Sequence, residues 1–274
     1  MELVFEKDTL IESGMKFKGC VFGKGVLIEK GVTFNVIGGE IGDRTIIRSG
    51  ARVEGNSVVL GRESYLDRGA WIGGGSCFDR GAFLNTGDWF HMGWNSQVNI
   101  ARGVEAGHEV GIGIETKIFT HGAYLPVDFN FPVQWAPVKI GSRVWLPNAW
   151  VNPGVRIGDD VVVGARSLIN SNLPDNCFAA GVPAKVLREG CYNKTNWSGL
   201  LEQALSVLDF PLRVIRLERT TIILVDDTEF DLKLRTISGR VTSRTEQTKN
   251  QLRRNGIRFR FTNKNNEYVA WDEA

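Results

Sequence analysis

Residues 41–58 read IGDRTI IRSGAR VEGNSV, three consecutive hexads that begin at Ile41, Ile47 and Val53. Each hexad opens with a large aliphatic residue and carries a small residue four places later, at Thr45, Ala51 and Ser57. The first and fifth positions have the same parity, so both side chains point to the same face of an extended strand. A helix with 3.6 residues per turn would scatter them around its axis. The stretch therefore predicts short strands with one buried face.

The same template continues along much of the chain. After a slip of one residue it resumes at Leu60, Leu66, Ile72 and Phe78, and it returns at Ile100, Ala106, Ile112, Ile140, Val151, Ile157 and Val163. The positions between carry Gly, Asp, Asn and Arg, which turn easily or tolerate solvent, so each hexad indicates a short strand and a corner. Three hexads would close a triangular coil of about eighteen residues, with coils stacked roughly 4.8 Å apart. The repeat predicts a parallel β-helix.

The composition is that of a globular protein, because 274 residues with 42% hydrophobic content can supply a buried core. The balance of 33 basic and 31 acidic residues gives no general attraction to nucleic acid or to an anionic membrane. No apolar run has the length of a signal peptide or a membrane span, so we expect a cytoplasmic protein. The cysteines form no CxxC pair, which predicts small buried hydrophobic residues rather than a zinc site: Cys20, Cys77, Cys177 and Cys191.

The chain changes character after Arg188. We predict a β-helix domain over residues 1–190, a polar link, and a small α+β domain of unknown role over residues 199–274. In the second domain, apolar residues recur at helical spacing from Leu200 to Leu208. Alternating stretches predict strands within residues 213–219, 220–226, 230–237, 258–261 and 267–271, and a helix is expected from Glu246 to Arg254.

The three histidines are the first candidates for a base near neutral pH, because imidazole has an unperturbed pKa of about 6.5. His121 is the best placed of them. It opens HGAYLPVDFNFPVQWAP (residues 121–137), a long stretch inside the β-helix that abandons the repeat. Loops that leave a rigid scaffold often carry binding and catalytic groups. His91 and His108 are expected to be structural or to face an acceptor.

Several segments of this region resemble one known family. They are Ile118 to His121 with the stretch that follows, APVKIGSRVWL (136–146), NPGVRIGDDVVVGARS (152–167) and AAGVPAKVLR (179–188). They are similar to the hexapeptide-repeat acyltransferases, which include sugar O- and N-acetyltransferases, over about residues 3–190. The resemblance implies a left-handed parallel β-helix, acetyl-CoA as co-substrate without a metal, and a homotrimer with interfacial active sites. It also implies that His121 is a general base, which frees an acceptor hydroxyl or amine to attack the thioester.

The resemblance extends to candidate binding residues. Lys185 is the first candidate to hold the phosphates of coenzyme A, followed by Arg166 and Arg188, since phosphates require cations or backbone amides. The resemblance also implies short side chains beside the pantetheine arm, at Ala149, Gly164 and Ala165.

The acceptor is expected to be a carbohydrate, either a precursor of a surface polysaccharide or a nucleotide-linked sugar. Aromatic faces suit the apolar face of a sugar, which makes Trp94, Tyr124 and Trp135 candidates for acceptor binding. Many relatives carry a second histidine or an acidic residue just after the catalytic one, whereas Gly-Ala-Tyr follows His121 here. The residue that orients His121 is therefore not identified by the motif, and Glu115 is the candidate.

Two alternatives remain open at this point. A zinc-dependent enzyme of the carbonic anhydrase type also uses this fold and needs three histidines, but the spacings of 17 and 13 residues between the histidines do not resemble that family. A non-catalytic scaffold is the other alternative, because a rigid β-helix with a fused domain can recruit a partner. The β-helix itself follows from the repeat in all three cases.

Overall fold

A computed structural model describes residues 3–11, 15–17, 19–192, 197–218 and 220–270. The chain divides into two compact units, Met1–Asn193 and Lys194–Ala274. Within the described ranges, no helix is long and apolar enough to cross a membrane. Part of the polar link (193–196) and Trp271 of the last expected strand lie outside the described residues.

The first unit is a three-sided β-helix, and its sides are called faces I, II and III here. Face I is a ten-stranded sheet, parallel except for the first and last pairs. Its strands are β2 (Thr9–Ile11), β5 (Val26–Ile28), β7 (Ile46–Ile47), β9 (Tyr65–Leu66), β12 (His91–Met92), β15 (Gly111–Ile112), β20 (Trp145–Leu146), β23 (Val162–Val163), β25 (Cys177–Gly181) and β26 (Ala184–Glu189).

Faces II and III belong to one fourteen-stranded sheet, because two long strands, β6 (Thr33–Ile41) and β8 (Arg52–Leu60), run around the corner between them. Face II continues with β10 (Trp71–Gly73), β13 (Gln97–Asn99), β16 (Lys117–Ile118), β21 (Trp150–Val151) and β24 (Leu168–Ile169). Face III contains β4 (Gly19–Phe22), β11 (Phe83–Thr86), β14 (Val104–Ala106), β19 (Val138–Ile140) and β22 (Arg156–Ile157). The short strands β1 (Leu3–Val4) and β3 (Met15–Phe17) pair antiparallel with β6 and β4.

The number of residues in a coil is given by the sequence separation between residues that pair in neighbouring parallel strands. Val151 pairs with Ile169, eighteen residues later, as the repeat predicts. Ile47 pairs with Leu66, nineteen residues later, so this earlier coil holds one residue more than predicted. Two intervals are much longer: 26 residues from Ile72 to Val98 and 33 residues from Ile118 to Val151. The extra residues form loop 1 (residues 74–81) and loop 2 (residues 121–136).

The aliphatic positions of the hexads form the core. They stack as columns of almost completely buried side chains, which on face II are Phe34, Val53, Ile72, Val98, Ile118, Val151 and Ile169. The hexad that was predicted to begin at Phe78 is wrong, because this residue lies in loop 1 and is 44% exposed. Its neighbour Cys77 is buried instead. Cys20 and Cys177 are also buried, as expected, and Cys191 is half-buried.

The second unit is a six-stranded antiparallel sheet with two helices. The strands, in their spatial order, are β27 (Arg213–Arg216), β28 (Thr221–Val225), β29 (Thr228–Asp231), β30 (Thr236–Arg240), β32 (Glu267–Ala270) and β31 (Phe261–Lys264). The helices are α1 (Trp197–Leu205) and α2 (Ser243–Arg254). The core of this unit contains Leu201, Leu205, Ile223, Val225, Phe230, Ile237, Leu252, Phe259 and Tyr268.

Three boundaries in this unit differ from those expected. Helix α2 starts three residues before Glu246, because Thr242 forms a capping box with Thr245 that satisfies the first turn. Residues 230–237 form parts of two strands joined by a turn at residues 232–235. Strand β31 begins at Phe261, so the strand expected over residues 258–261 lies three residues later.

Candidate active site

Loops 1 and 2 leave the β-helix at the same corner. Loop 1 connects β10 of face II to β11 of face III, and loop 2 connects β16 to β19 of the same two faces. The corner of the coil between them is formed by Ala101 and Arg102. Two intervals that depart from the repeat, far apart in sequence, are thus brought to one edge of the prism.

His121 is the first residue of loop 2 and is held by a short ladder. It begins β17 (His121–Gly122), which pairs antiparallel with β18 (Gln134–Trp135), and one turn of 3-10 helix (Val127–Phe129) lies between them. Trp135 is the ladder partner of His121, and its ring stacks on the imidazole with 4.4 Å between centroids and 10° between planes. The indole therefore fixes the plane of the imidazole.

Asn99 supplies the other contact to the ring. Its Oδ1 atom lies 3.2 Å from Nδ1 of His121 and accepts hydrogen bonds from the backbone N–H of Ala101 and the hydroxyl of Thr120. Because a backbone N–H donates to this atom, it is the oxygen of the amide and cannot donate in return. Nδ1 must therefore carry the proton, which leaves the lone pair of the neutral ring on Nε2.

The expectation that Glu115 orients His121 is wrong. Glu115 lies at the corner between faces I and II, where its carboxylate accepts a hydrogen bond from Asn148 at 3.1 Å. Asn99 was missed because it is an uncharged side chain inside a strand. The available signal was its polar character next to Val98 and Ile100, at a site where it is only 5% exposed.

Nε2 of His121 faces the glycines of loop 1. A Cβ atom built on Gly75 would lie 4.0 Å from Nε2, and one built on Gly74 would lie 2.3 Å from Nδ2 of Asn99. Gly74 also has a φ of +100°, a conformation that L side chains rarely adopt. Loop 1 can therefore approach Asn99 this closely only with glycine at position 74, and Gly75 leaves the surroundings of Nε2 uncrowded.

The electrostatic environment favours the neutral imidazole. Burial lowers the pKa of His121 below its ordinary value, and the nearby positive charge of Arg102 lowers it further. The guanidinium of Arg102 lies over the Trp135 ring, 4.9 Å from its centroid. A neutral ring with its lone pair on Nε2 can accept a proton from an acceptor group placed beside it.

The other aromatic candidates for acceptor binding are not brought to His121. Trp94 is 51% exposed and lies at the corner between faces I and II. Tyr124 lies in loop 2 but is 98% exposed. Of the three aromatic candidates, Trp135 is the one that touches the imidazole. Because its ring stacks on His121, that face of the indole is not available to a sugar.

The remaining histidines lie elsewhere on the prism. His91 stacks on Tyr65 along face I, with 5.0 Å between ring centroids. His108 accepts a hydrogen bond from the backbone N–H of Asp88 at 3.0 Å, at the corner between faces III and I. It lines an open groove of about 910 Å³ that contains none of the residues around His121. Within the described ranges, no group of three His, Cys, Asp or Glu side chains could hold a metal ion.

The structure places some of the residues that were expected to bind coenzyme A in or next to one groove. A groove of about 260 Å³ is lined by Asn148, Trp150, Arg166, Ser167, Leu168 and Val182. Lys185 and Arg188 are exposed on the adjoining strand β26, and Arg188 lies over the ring of Phe178. The groove thus contains one of the three predicted cations and adjoins the hairpin that carries the other two.

The three small residues that were expected beside the pantetheine arm, Ala149, Gly164 and Ala165, have different surroundings. Ala149 is completely buried, so the expectation that it lines the pantetheine groove is wrong: its side chain occupies an inward position of the repeat. A Cβ atom on Gly164 would lie 2.7 Å from Cβ of Ala180, so the packing of the β25–β26 hairpin by itself requires glycine there. Ala165 is exposed beside Arg166.

Face II connects this groove to His121. Trp150 in the groove meets Phe119 edge to face, with 5.8 Å between ring centroids. Phe119 precedes His121 by two residues, and β16, β21 and β24 are consecutive strands of face II. The groove lies toward the corner between faces I and II, and His121 lies beyond the other end of face II.

Comparison with known proteins identifies relatives that are similar to part of this chain. Galactoside O-acetyltransferase of Escherichia coli (strain K12) is 32% identical over 108 residues, which cover 36% of this chain and 53% of the relative. "Putative lipopolysaccharide biosynthesis O-acetyl transferase WbbJ" of the same strain is 34% identical over 122 residues, 38% of this chain and 62% of the relative. These relatives are named as acetyltransferases, and the chain is similar to the hexapeptide-repeat acyltransferases.

The matches to this family are partial. The alignments span little more than half the length of these two curated relatives. No protein-family model matches the chain. Among solved structures, galactoside acetyltransferase in complex with coenzyme A is 29% identical, with a TM-score of 0.32, and the match covers 44% of this chain and 55% of that protein. The N-acyltransferase AntD from Bacillus cereus is 18% identical, with a TM-score of 0.44, and covers 69% and 90%.

Proposed function

We propose that this protein transfers an acetyl group from acetyl-CoA to a hydroxyl or amine of a carbohydrate, with His121 as general base. One observation carries the proposal: Asn99 fixes Nδ1 of His121 as a donor, so that Nε2 presents its lone pair beside loop 1. The relatives support the substrate class, since they are named as acetyltransferases of galactosides and of lipopolysaccharide biosynthesis.

The chain's own residues perform defined tasks in this reaction. Nε2 takes the proton of the acceptor group as that group attacks the thioester carbonyl. The acyl group passes to the acceptor as the C–S bond breaks, and coenzyme A leaves as a thiol after the imidazolium returns the proton to its sulfur. The lowered pKa of His121 keeps the base neutral before the reaction. Trp135 and Asn99 hold the ring, which preserves the alignment that a proton transfer requires.

The groove beside Trp150 fits the coenzyme. Arg166 and Lys185 are exposed cations for its phosphates, and the exposed rims of Trp150 and Val182 offer an apolar surface to the pantetheine arm. The proposal includes the homotrimer that the family resemblance implies, with each site completed at a subunit interface.

A matched pair of variants tests the general base. His121→Phe keeps a ring to stack on Trp135, and His91→Phe keeps a ring to stack on Tyr65. Release of free thiol from acetyl-CoA is measured in the presence of sugar acceptors. We expect His121→Phe to lose about 100-fold or more in kcat, the contribution of a general base, and His91→Phe to retain the wild-type rate. Equal rates for wild type and His121→Phe would refute the mechanism, and absence of transfer by the wild type would favour the scaffold alternative.

A further inference from the structure

Arg102 is a cation placed at the reacting end of the proposed site. It forms the corner between faces II and III on the coil that lies between loops 1 and 2. Its backbone N–H donates to the hydroxyl of Thr120 at 3.1 Å, and Thr120 immediately precedes His121. The position of Arg102 relative to the imidazole is therefore fixed through the backbone.

The side chain of Arg102 points toward the same place. Its guanidinium lies over the ring of Trp135, which in turn stacks on His121. The guanidinium of Arg102 also lies close to loop 1, because a Cβ atom built on Gly81 would lie 3.9 Å from Nη1 of Arg102. The cation thus borders both loops that frame Nε2.

Arg102 has no anionic partner among the described residues, unlike three other corner arginines. Arg44, Arg62 and Arg143 each form an ion pair with a carboxylate on the next coil, with Glu63, Asp88 and Asp160 respectively. Among the residues that the structure describes, no carboxylate lies within ion-pair distance of Arg102, and its side chain is exposed. Its five N–H donors are available to a ligand.

The coenzyme is a poor candidate for that ligand. Its phosphates are at the opposite end of the molecule from the thioester, which must lie beside His121 for transfer to occur. Two other exposed cations suit those phosphates: Arg166 lines the groove beside Trp150, and Lys185 lies on the adjoining strand β26. An anion next to Arg102 must therefore come from the acceptor.

We propose that the acceptor is an anionic carbohydrate, and that Arg102 binds its carboxylate or phosphate while a neighbouring hydroxyl or amine meets Nε2 of His121. This inference rests on the proposed function and names its substrate class. A guanidinium matches the two oxygens of either anion with parallel hydrogen bonds, so Arg102 determines specificity for charge rather than taking part in the proton transfer.

Acceptors that differ only in charge test the proposal. Methyl glucoside, methyl glucuronide and methyl glucoside 6-phosphate are compared as acceptors with the wild type, Arg102→Gln and Arg102→Lys. Arg68→Gln is the matched control, because Arg68 is an exposed corner arginine between faces I and II. All assays are run at about pH 8, where histidine is neutral in every variant.

We expect the wild type to prefer one of the two anionic acceptors over the neutral glucoside by at least about tenfold in kcat/KM, a typical effect of a charged hydrogen bond. Comparison of the rates with methyl glucuronide and methyl glucoside 6-phosphate identifies whether the carboxylate or the phosphate is recognised. Arg102→Gln should abolish the preference by raising the KM for the anionic acceptor. Arg102→Lys should keep part of the preference, and Arg68→Gln should keep all of it. Transfer without any preference for charge overturns this inference alone, as does an equal loss on all three acceptors in Arg102→Gln. Absence of transfer to every acceptor overturns the proposed function as well.

Discussion

Oδ1 of Asn99 lies 3.2 Å from Nδ1 of His121, and the same oxygen accepts the backbone N–H of Ala101. This relationship decides which nitrogen of the imidazole is available to an acceptor. It joins a buried strand residue of face II to the first residue of loop 2, across one coil of the β-helix. Four predictions follow from this site and its surroundings.

Substitution of Asn99 should affect the reaction through the orientation of His121. Asn99→Leu removes the acceptor from Nδ1, and we expect kcat to fall roughly 10- to 100-fold because the ring is no longer aligned. Asn99→Asp keeps an acceptor and adds a negative charge, which should raise the pKa of His121 and move the acidic limb of the pH–rate profile upward. The profiles of both variants are measured together with thermal unfolding. An unchanged profile in Asn99→Asp would contradict a positioning role.

The space beside Nε2 should be sensitive to side-chain size at position 75. Gly75 does not have a positive φ, so substitution there does not strain the backbone. Gly75→Ala places a Cβ atom 4.0 Å from Nε2, an ordinary contact, and should retain most of the activity. Gly75→Leu should lower kcat/KM for the sugar by about tenfold or more, while circular dichroism shows an intact β-helix. The prediction fails if leucine at this position is accepted without loss.

The pH dependence of the wild type follows from the lowered pKa of His121. The neutral imidazole is the active form, so kcat/KM should increase with pH, and the midpoint of this increase should lie below the ordinary histidine pKa of about 6.5. Removing the positive charge in Arg102→Gln should raise the pKa of His121, so the acidic limb moves to higher pH, although burial, the larger effect, remains. Rate measurements from about pH 5 to 8 with the neutral glucoside provide the check. A shift toward lower pH would show that Arg102 does not act on His121 in this way.

The cations near the Trp150 groove should act on the coenzyme alone. We expect Arg166→Gln and Lys185→Gln each to raise the KM for acetyl-CoA by about 5- to 20-fold, because each loses a charged contact to phosphate. Arg188→Gln is the comparison variant, since Arg188 already lies over Phe178. Acetyl-CoA without its 3′-phosphate identifies the contact: the variant that no longer discriminates between the two donors has lost the residue that binds this group. If the KM for acetyl-CoA is unchanged in both Arg166→Gln and Lys185→Gln, the coenzyme does not bind at the Trp150 groove.

Much of the fold could be predicted from local sequence, because a period of six places aliphatic residues on one side of every strand. Ile47, Leu66 and Val151 are buried as that pattern requires. Prediction failed at Phe78, which lies in loop 1 although it keeps the six-residue spacing between Ile72 and Leu84. It also misplaced the start of helix α2, because the capping box of Thr242 lies outside the apolar pattern.

The site divides in a similar way. His121 could be singled out from the sequence because it opens the long interruption of the repeat. Asn99, Arg102 and Gly75 could not, since each becomes significant only when coils of unequal length are stacked. Glu115 was chosen for its charge and its nearness in sequence, yet the corner of the coil directs it away from the imidazole toward Asn148.

The sequence by itself therefore determined the β-helix, the separate C-terminal unit as an expectation, and His121 as the candidate base. Those features depend on periodicity, on its interruption and on composition, all of which are visible in consecutive residues of the sequence. Only the tertiary structure decided that two interruptions of the repeat meet at one corner, and that Asn99 and Trp135 fix the imidazole between them. The physical reason is that stacking sets side chains from different coils a few ångströms apart, and no local pattern encodes that distance.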